Sequence, residues 1–225
     1  MNRKHSFVED NWYHLYNRGV NKMDIFKNES DYSRFLELLY LANSTEPIDM
    51  QKLLREGLTF TDIMKYKKKE TLVDIGAFCL MSNHFHLLVS PLVENGISKF
   101  MQKLITGYVM YFNKKYARSG VLFQGRFGSQ YIEEDRHLQY LFSYIHLNPI
   151  KLKKPLWENE SAQHLSSYMD FAFKYPYSSI RSYLGENNPL NSITKISKVP
   201  WRFASAKKFK NELLSWIDQK SSVKV

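Results

Sequence analysis

Residues 73–90 read VDIGAFCLMSNHFHLLVS, two apolar runs with only Met81-Ser82-Asn83 between them. Runs of this length and composition form strands, and so short a connection pairs them antiparallel. The rest of the chain has to be arranged around that hairpin. Before it, WYHLYNRGV (residues 12–20) has the aromatic richness of a strand and ends at the turn residue Gly19. Ser30 then opens DYSRFLELLYLA as an N-cap, with Tyr32, Phe35, Leu36, Leu39 and Tyr40 at helical spacing. After it, Phe100, Leu104, Tyr108, Tyr111 and Phe112 form one stripe of a long helix over about Ser98–Arg118, ending near Ser119-Gly120. FGSQYIEE supplies a fourth strand, and Asp135 caps a helix that runs to Pro149.

The order β-α-β-β-α-β-α is that of a ferredoxin-like four-stranded antiparallel sheet with one extra helix, an α+β fold. The domain spans residues 8–150, with an insertion of short helices at about 43–70. Residues 151–225 are a C-terminal extension expected to pack on it. This extension contains YPYSSIRSYLGE, the turn-rich NNPLNS, and a stretch with Phe209, Leu213, Trp216 and Ile217 at helical intervals.

Charge narrows the partner. Lys plus Arg number 32 against 22 Asp plus Glu, a net charge of +10, which favours nucleic acid first and a membrane surface second. No apolar run approaches the ~20 residues of a membrane span, and MNRKHSFVEDNW lacks the apolar centre of a signal peptide. The expectation is a cytoplasmic, nucleoid-associated protein without membrane association. The single cysteine, Cys79, cannot form an internal disulfide.

Side chains alternate along a strand, so His84 and His86 share one face while Phe85, Leu87 and Val89 take the other. Two imidazoles so placed can ligate a metal or simply hydrogen-bond on a half-buried strand. On the last helix of the domain, Tyr144 and Asn148 are four apart and share a face. They too have an ordinary reading, as core tyrosine and helix-end amide before Pro149, a residue that disfavours helical geometry at Asn148.

Taken together, YHLYNRGV (13–20), MSNHFHLLV (81–89), VLFQGRF (121–127), YIHLNP (144–149) and PYSSIRSYL (176–184) resemble, in order, the segments of HUH single-strand endonucleases. The resemblance is specifically to the REP-associated tyrosine transposases and the IS200-like, one-tyrosine transposases. It covers about residues 12–185 and implies that His84, His86 and Asn148 hold a divalent metal while Tyr144 is the nucleophile. Oxygen donors and imidazoles suit Mg²⁺ or Mn²⁺. The activity implied is nicking and strand transfer of single-stranded, hairpin-containing DNA through a 5′-phosphotyrosine, by a monomer or homodimer.

Asn17 and Arg18 at the first glycine turn, and Arg126 after Gly125, are candidates for DNA contact, as are Lys114, Lys115 and Arg118 with Tyr111 and Tyr116 nearby. Each could equally be a surface ion pair or part of a solvated helix face. Two rival functions stay open. One is a non-catalytic single-stranded nucleic-acid-binding module on the same fold, and the other is a zinc hydrolase using Cys79 with the two histidines.

Overall fold

The structure, a computed structural model, describes residues 6–155, 162–199 and 205–222. Four antiparallel strands, β1 (Tyr13–Arg18), β2 (Val73–Met81), β3 (His84–Pro91) and β4 (Gly128–Tyr131), lie in the order β2-β3-β1-β4. Helix α1 (Glu29–Leu41) leaves β1. The connection to β2 carries α2 (Met50–Arg55) and α3 (Phe60–Met64), and α4 (Gly96–Lys115) joins β3 to β4. Beyond β4 come α5 (Asp135–Leu147), a 3₁₀ turn (Asn148–Leu152), α6 (Ala162–Lys174), α7 (Ile180–Tyr183) and α8 (Ala206–Ser222). The expected ferredoxin-like α+β architecture is present.

Alternation along the strands divides the interior into two cores. Leu15, Phe85, Leu87 and Val89 face α1 and α4, meeting Phe35, Phe100, Leu104 and Tyr108. Cys79, Met81 and Leu88 face the opposite way, onto Phe142 and Ile145 of α5 and onto Phe209 and Leu213 of α8. Ile217 lies outside the residues whose side chains are described.

Strand β2 stands at the end of the strand order, yet all nine of its residues are buried. The C-terminal extension covers it. Leu80 N–H donates to Tyr177 O at 2.9 Å and Ser179 N–H to Phe78 O at 3.0 Å, so Tyr177–Ser179 runs along the open edge like a short additional strand. Tyr183 Oη donates to Gly76 O at 2.6 Å and Lys195 N–H to Ile75 O at 2.8 Å. An otherwise unpaired row of backbone groups is thereby satisfied.

Helix ends differ from the sequence expectations in ways that local hydrogen bonding explains. Helix α1 starts one residue before Ser30, with Asn28 in extended geometry as its N-cap. Ser30 instead donates to Asn28 Oδ1, and the Asp31 carboxylate receives the Lys27 N–H. Asp135 is the first helical residue of α5 and Glu134 its cap. Helix α4 stops at Lys115, short of Arg118, because Ala117 takes φ 48°. In the insertion, Thr59 and Asp62 form a reciprocal capping box at α3, and Asp49 caps α2. No helix among the described residues is long and apolar enough to cross a membrane.

Candidate active site

Strand register assembles the histidines. In the β1–β3 pairing Tyr16 lies opposite His86 and Arg18 opposite His84, so His14, Tyr16 and Arg18 share the histidine face. His14 Nε2 meets His86 Nδ1 at 2.9 Å, with ring centroids 5.1 Å apart and 20° between planes. His84 Nδ1 lies 2.6 Å from Asn83 Oδ1. Because Asn83 Nδ2 donates to Lys22 O at 3.1 Å, its oxygen is the atom turned to His84. An amide oxygen only accepts, so the His84 proton sits on Nδ1 and the Nε2 lone pair is left available.

All three rings are neutral at pH 7. Burial, then the charge of His137, lowers His14 to about 4. Burial followed by Arg18 and Lys151 lowers His84 to about 4. Burial, with His14, His84 and Lys151 adding to it, holds His86 well below 6.5. Neutral imidazole is the form that offers a lone pair to a cation.

Helix α5 brings Tyr144 against these rings, its centroid 5.5 Å from His86 and 6.5 Å from His14. Tyr140, one turn earlier, stacks on Tyr144 at 6.2 Å and is 39% exposed. One turn later, Asn148 is helical at φ −51°, ψ −38°, against the expectation from Pro149. The chain tightens there into the 3₁₀ turn, which buries Asn148, Pro149 and Ile150. Both the backbone N–H and Nδ2 of Asn148 donate to Tyr144 O, the latter at 3.0 Å. The amide orientation is therefore fixed, with Oδ1 pointing away from that bond. Lys151 Nζ lies 4.8 Å from the centre of the Tyr144 ring. His146 faces elsewhere: its Nδ1 donates to Phe142 O and its Nε2 accepts from Ser179 Oγ, each at 2.8 Å.

Two of these atoms test whether a divalent ion fits. His86 Nε2 and Asn148 Oδ1 are buried and have no hydrogen-bond partner among the described residues. Asn148 Oδ1 offers lone pairs, His86 Nε2 does so when the ring proton sits on Nδ1, and an unmatched polar atom is costly in this surrounding. With His84 Nε2 they form a set of two imidazole nitrogens and one amide oxygen, without a carboxylate. No group of three or more His, Cys, Asp or Glu suited to a metal occurs among the described residues. Cys79 stands opposite His86 in the β2–β3 register, but its thiol is buried, burial pushes its pKa up, and Sγ rests 3.9 Å from Met81 Sδ. A thiol so enclosed by apolar neighbours has the setting of a core residue.

The basic residues divide between the two sides of the sheet. Arg18 is exposed on the histidine face. The loop carrying exposed Arg126 is tied beside it, since Gln124 N–H donates to Arg18 O at 2.8 Å. Asn17 is buried, its Nδ2 donating to Gly125 O and its Oδ1 accepting from Arg18 N–H. Its amide ties the end of β1 to the Gly125 loop and is not displayed to a ligand. Lys114, Lys115 and Arg118 belong to α4 and its C-terminal end, and α4 packs the face opposite the histidines. Lys114 lines a groove of about 970 Å³ with Arg34 and Met110. The half-buried Arg118 guanidinium lies 5.6 Å from the Phe112 ring centre.

Lys115 Nζ binds Asp31 Oδ1 at 2.5 Å and also reaches Asn28, Ser30 and Tyr111. Burial opposes ionisation of Asp31, but hydrogen bonds from Lys115, Tyr116, Lys27 N–H and Tyr111 outweigh it and hold the carboxyl below its ordinary 3.8. We expect Asp31→Ala to cost about 3 kcal/mol, the low end for a broken buried pair because Lys115 keeps some solvent access. The urea midpoint measures that loss. The Asp31 contribution is fully present above the unfolded-state carboxylate range and disappears as pH falls through the lower folded value. The gap between wild type and Asp31→Ala should therefore close in acid.

His14, Asn83 and Lys151 escaped the sequence reading. The alternation His14, Tyr16, Arg18 was present in YHLYNRGV, but only the β1–β3 register shows which of these residues face His84 and His86. Tyr16 is 44% exposed, and its ring fills the space where a side chain on Gly128 would stand, which accounts for glycine there.

The family model described as "Transposase IS200 like" matches residues 8–148. No curated protein matches the chain. A solved structure, described as "Structure of the REP associates tyrosine transposase bound to a REP hairpin", superposes with a TM-score of 0.51 at 10% identity, covering 83% of this chain and 86% of that one. At that identity the likeness concerns the fold. It extends past α5 into the C-terminal extension, beyond the region that the family match spans. With that match running from before β1 through Asn148, the chain belongs to the IS200-like transposase family and is, by that membership, an HUH-type tyrosine transposase.

Proposed function

We propose that the protein nicks single-stranded DNA and transfers the cut strand through a 5′-phosphotyrosine on Tyr144, using a divalent ion held by His84 Nε2, His86 Nε2 and Asn148 Oδ1. The observation that carries this reading is the pair of buried, unmatched polar atoms, His86 Nε2 and Asn148 Oδ1, on a residue beside the Tyr144 ring and on one bonded to the Tyr144 carbonyl. When bound, Mg²⁺ or Mn²⁺ supplies Lewis-acid polarisation of the scissile phosphate. Three neutral donors leave the positive charge uncancelled, so the phosphate itself is the natural counterion.

The chain's own residues do the rest. Tyr144 Oη attacks phosphorus, the P–O3′ bond breaks, and the phenolic proton ends on the departing 3′-hydroxyl through solvent. The phosphotyrosine conserves the bond, and attack by another 3′-hydroxyl reverses the step without ATP. Arg18 and Lys151 both flank His84 closely enough to depress its basicity and are placed to hold phosphate oxygens. Arg126 extends that path. The solved structure of similar fold is described as bound to a REP hairpin, which supports a hairpin-containing single strand as the partner here. The exposed rings of Tyr16 and Tyr140 on this side would also suit a module that binds single strands without cutting.

Trapping separates the two. Incubated with Mg²⁺ or Mn²⁺ and a panel of single-stranded hairpin oligonucleotides, the protein should give a denaturant-stable adduct that protease digestion reduces to a 5′-linked peptide. Binding across the whole panel without any adduct would leave only the non-catalytic module. Within the same assay, Lys151→Ala should slow adduct formation on the order of 10²-fold, as loss of one preorganised cation does. Lys114→Ala, on the far side of the sheet, should leave the rate unchanged.

A further inference from the structure

We infer that His14 is a positioning residue that holds His86 in the one tautomer able to ligate a divalent ion. The inference rests on the metal reading above, but it concerns a residue of another strand that never touches the ion. His14 and His86 are 5% and 7% exposed, with 2.9 Å between Nε2 of the first and Nδ1 of the second. One proton lies between those nitrogens, and it can belong to either ring.

If His14 donates, a neutral His86 carries its own proton on Nε2. That atom is buried without a partner, so an N–H would be left with no acceptor and no lone pair to offer a cation. If His86 donates from Nδ1, its Nε2 keeps the lone pair. Only this second arrangement is satisfied when a cation is present. His84 provides the comparison within the same site. There the partner of Nδ1 is the oxygen of Asn83, which can only accept, so the proton position is dictated. Both ligand rings then show one pattern, Nδ1–H bonded outward and Nε2 left for the metal, enforced by an amide oxygen at one ring and an imidazole nitrogen at the other. The two rings are nearly coplanar, with 20° between their planes, which suits a hydrogen bond lying in the plane of both.

The test compares the full-length wild type with His14→Leu, which fills the space without an acceptor, and His14→Gln, which returns an acceptor oxygen at similar reach. Mn²⁺ alone is titrated and followed by electron paramagnetic resonance, and the protonated nitrogen of His86 is read by long-range ¹H–¹⁵N NMR on metal-free protein. Wild type should show Nδ1–H at His86. His14→Leu should bind Mn²⁺ about 10- to 100-fold more weakly, the usual effect of losing an outer-shell partner. His14→Gln should recover most of that loss, which a role in packing alone would not produce.

Undiminished Mn²⁺ affinity in His14→Leu, or an Nε2–H tautomer at His86 in the wild type, would overturn the inference. Wild-type protein that binds neither Mn²⁺ nor Mg²⁺ would instead sink the metal reading, while the metal-free NMR still reports on the His14–His86 bond. If His14→Leu does not fold, the wild-type spectrum decides alone.

Discussion

Tyr144→Phe should fold, bind single-stranded DNA as the wild type does, and form no covalent complex. The substitution removes one oxygen and keeps the ring that packs between Tyr140 and His86. Rate loss should be complete within detection, because phenylalanine offers no oxygen to esterify. Tyr140 is the competitor. Its ring lies nearly parallel to that of Tyr144, with 11° between planes, and is more open to solvent. Yet of these two rings it is Tyr144 that lies beside His86 and His14, and the residue one turn beyond it is Asn148, with its unmatched oxygen. Tyr140→Phe should therefore keep adduct formation within a few-fold of wild type. An adduct that survives in Tyr144→Phe and vanishes in Tyr140→Phe would move the nucleophile one turn along α5 and take the proposed geometry with it.

The second large effect is expected at the ligands. His86→Ala should lower adduct formation at least about 10³-fold, since Lewis-acid stabilisation is worth several kcal/mol and each 1.36 kcal/mol is tenfold. It should spare DNA affinity, because Arg18 and Arg126 remain exposed. The substitution also strips His14 of its hydrogen-bond partner, so a lower melting temperature is expected alongside. Asn148→Leu separates the two effects: it removes the proposed oxygen ligand and leaves the His14–His86 pair intact. Both variants should lose cleavage. A His86→Ala protein that nicks at wild-type rate with Mg²⁺ would exclude these side chains as the ion's ligands.

Much of this arrangement was legible in the sequence because its periodicities are local. The short connection between the two apolar runs dictated their pairing, with Ser82 and Asn83 alone between β2 and β3, and the period of two put His84 and His86 on one face. The turn from Tyr144 to Asn148 needed only helical spacing. What required the fold was long-range. His14 reaches its partner across 72 residues. Lys115 looks like a free cation on a basic helix until Asp31, 84 residues earlier, is found beneath it. Helical periodicity also cannot say which side of a sheet a helix will cover, and α4 covers the side opposite His84 and His86, taking Lys114 with it. Pro149 misled in the opposite direction. Its steric preference is real, but burial of the 3₁₀ turn and the paired bonds onto Tyr144 O outweigh it at Asn148.

The helix that carries Tyr144 and the strand that carries His86 belong to one chain and already lie in contact, with the two rings 5.5 Å apart. On the proposed mechanism a single polypeptide would suffice for the covalent step. Under single-turnover conditions with DNA limiting and bound, the rate constant should not change as protein is diluted, and mixing an inactive Tyr144→Phe chain with an inactive His86→Ala chain should restore nothing. Concentration dependence, where it occurs, would then belong to the later joining of two DNA ends.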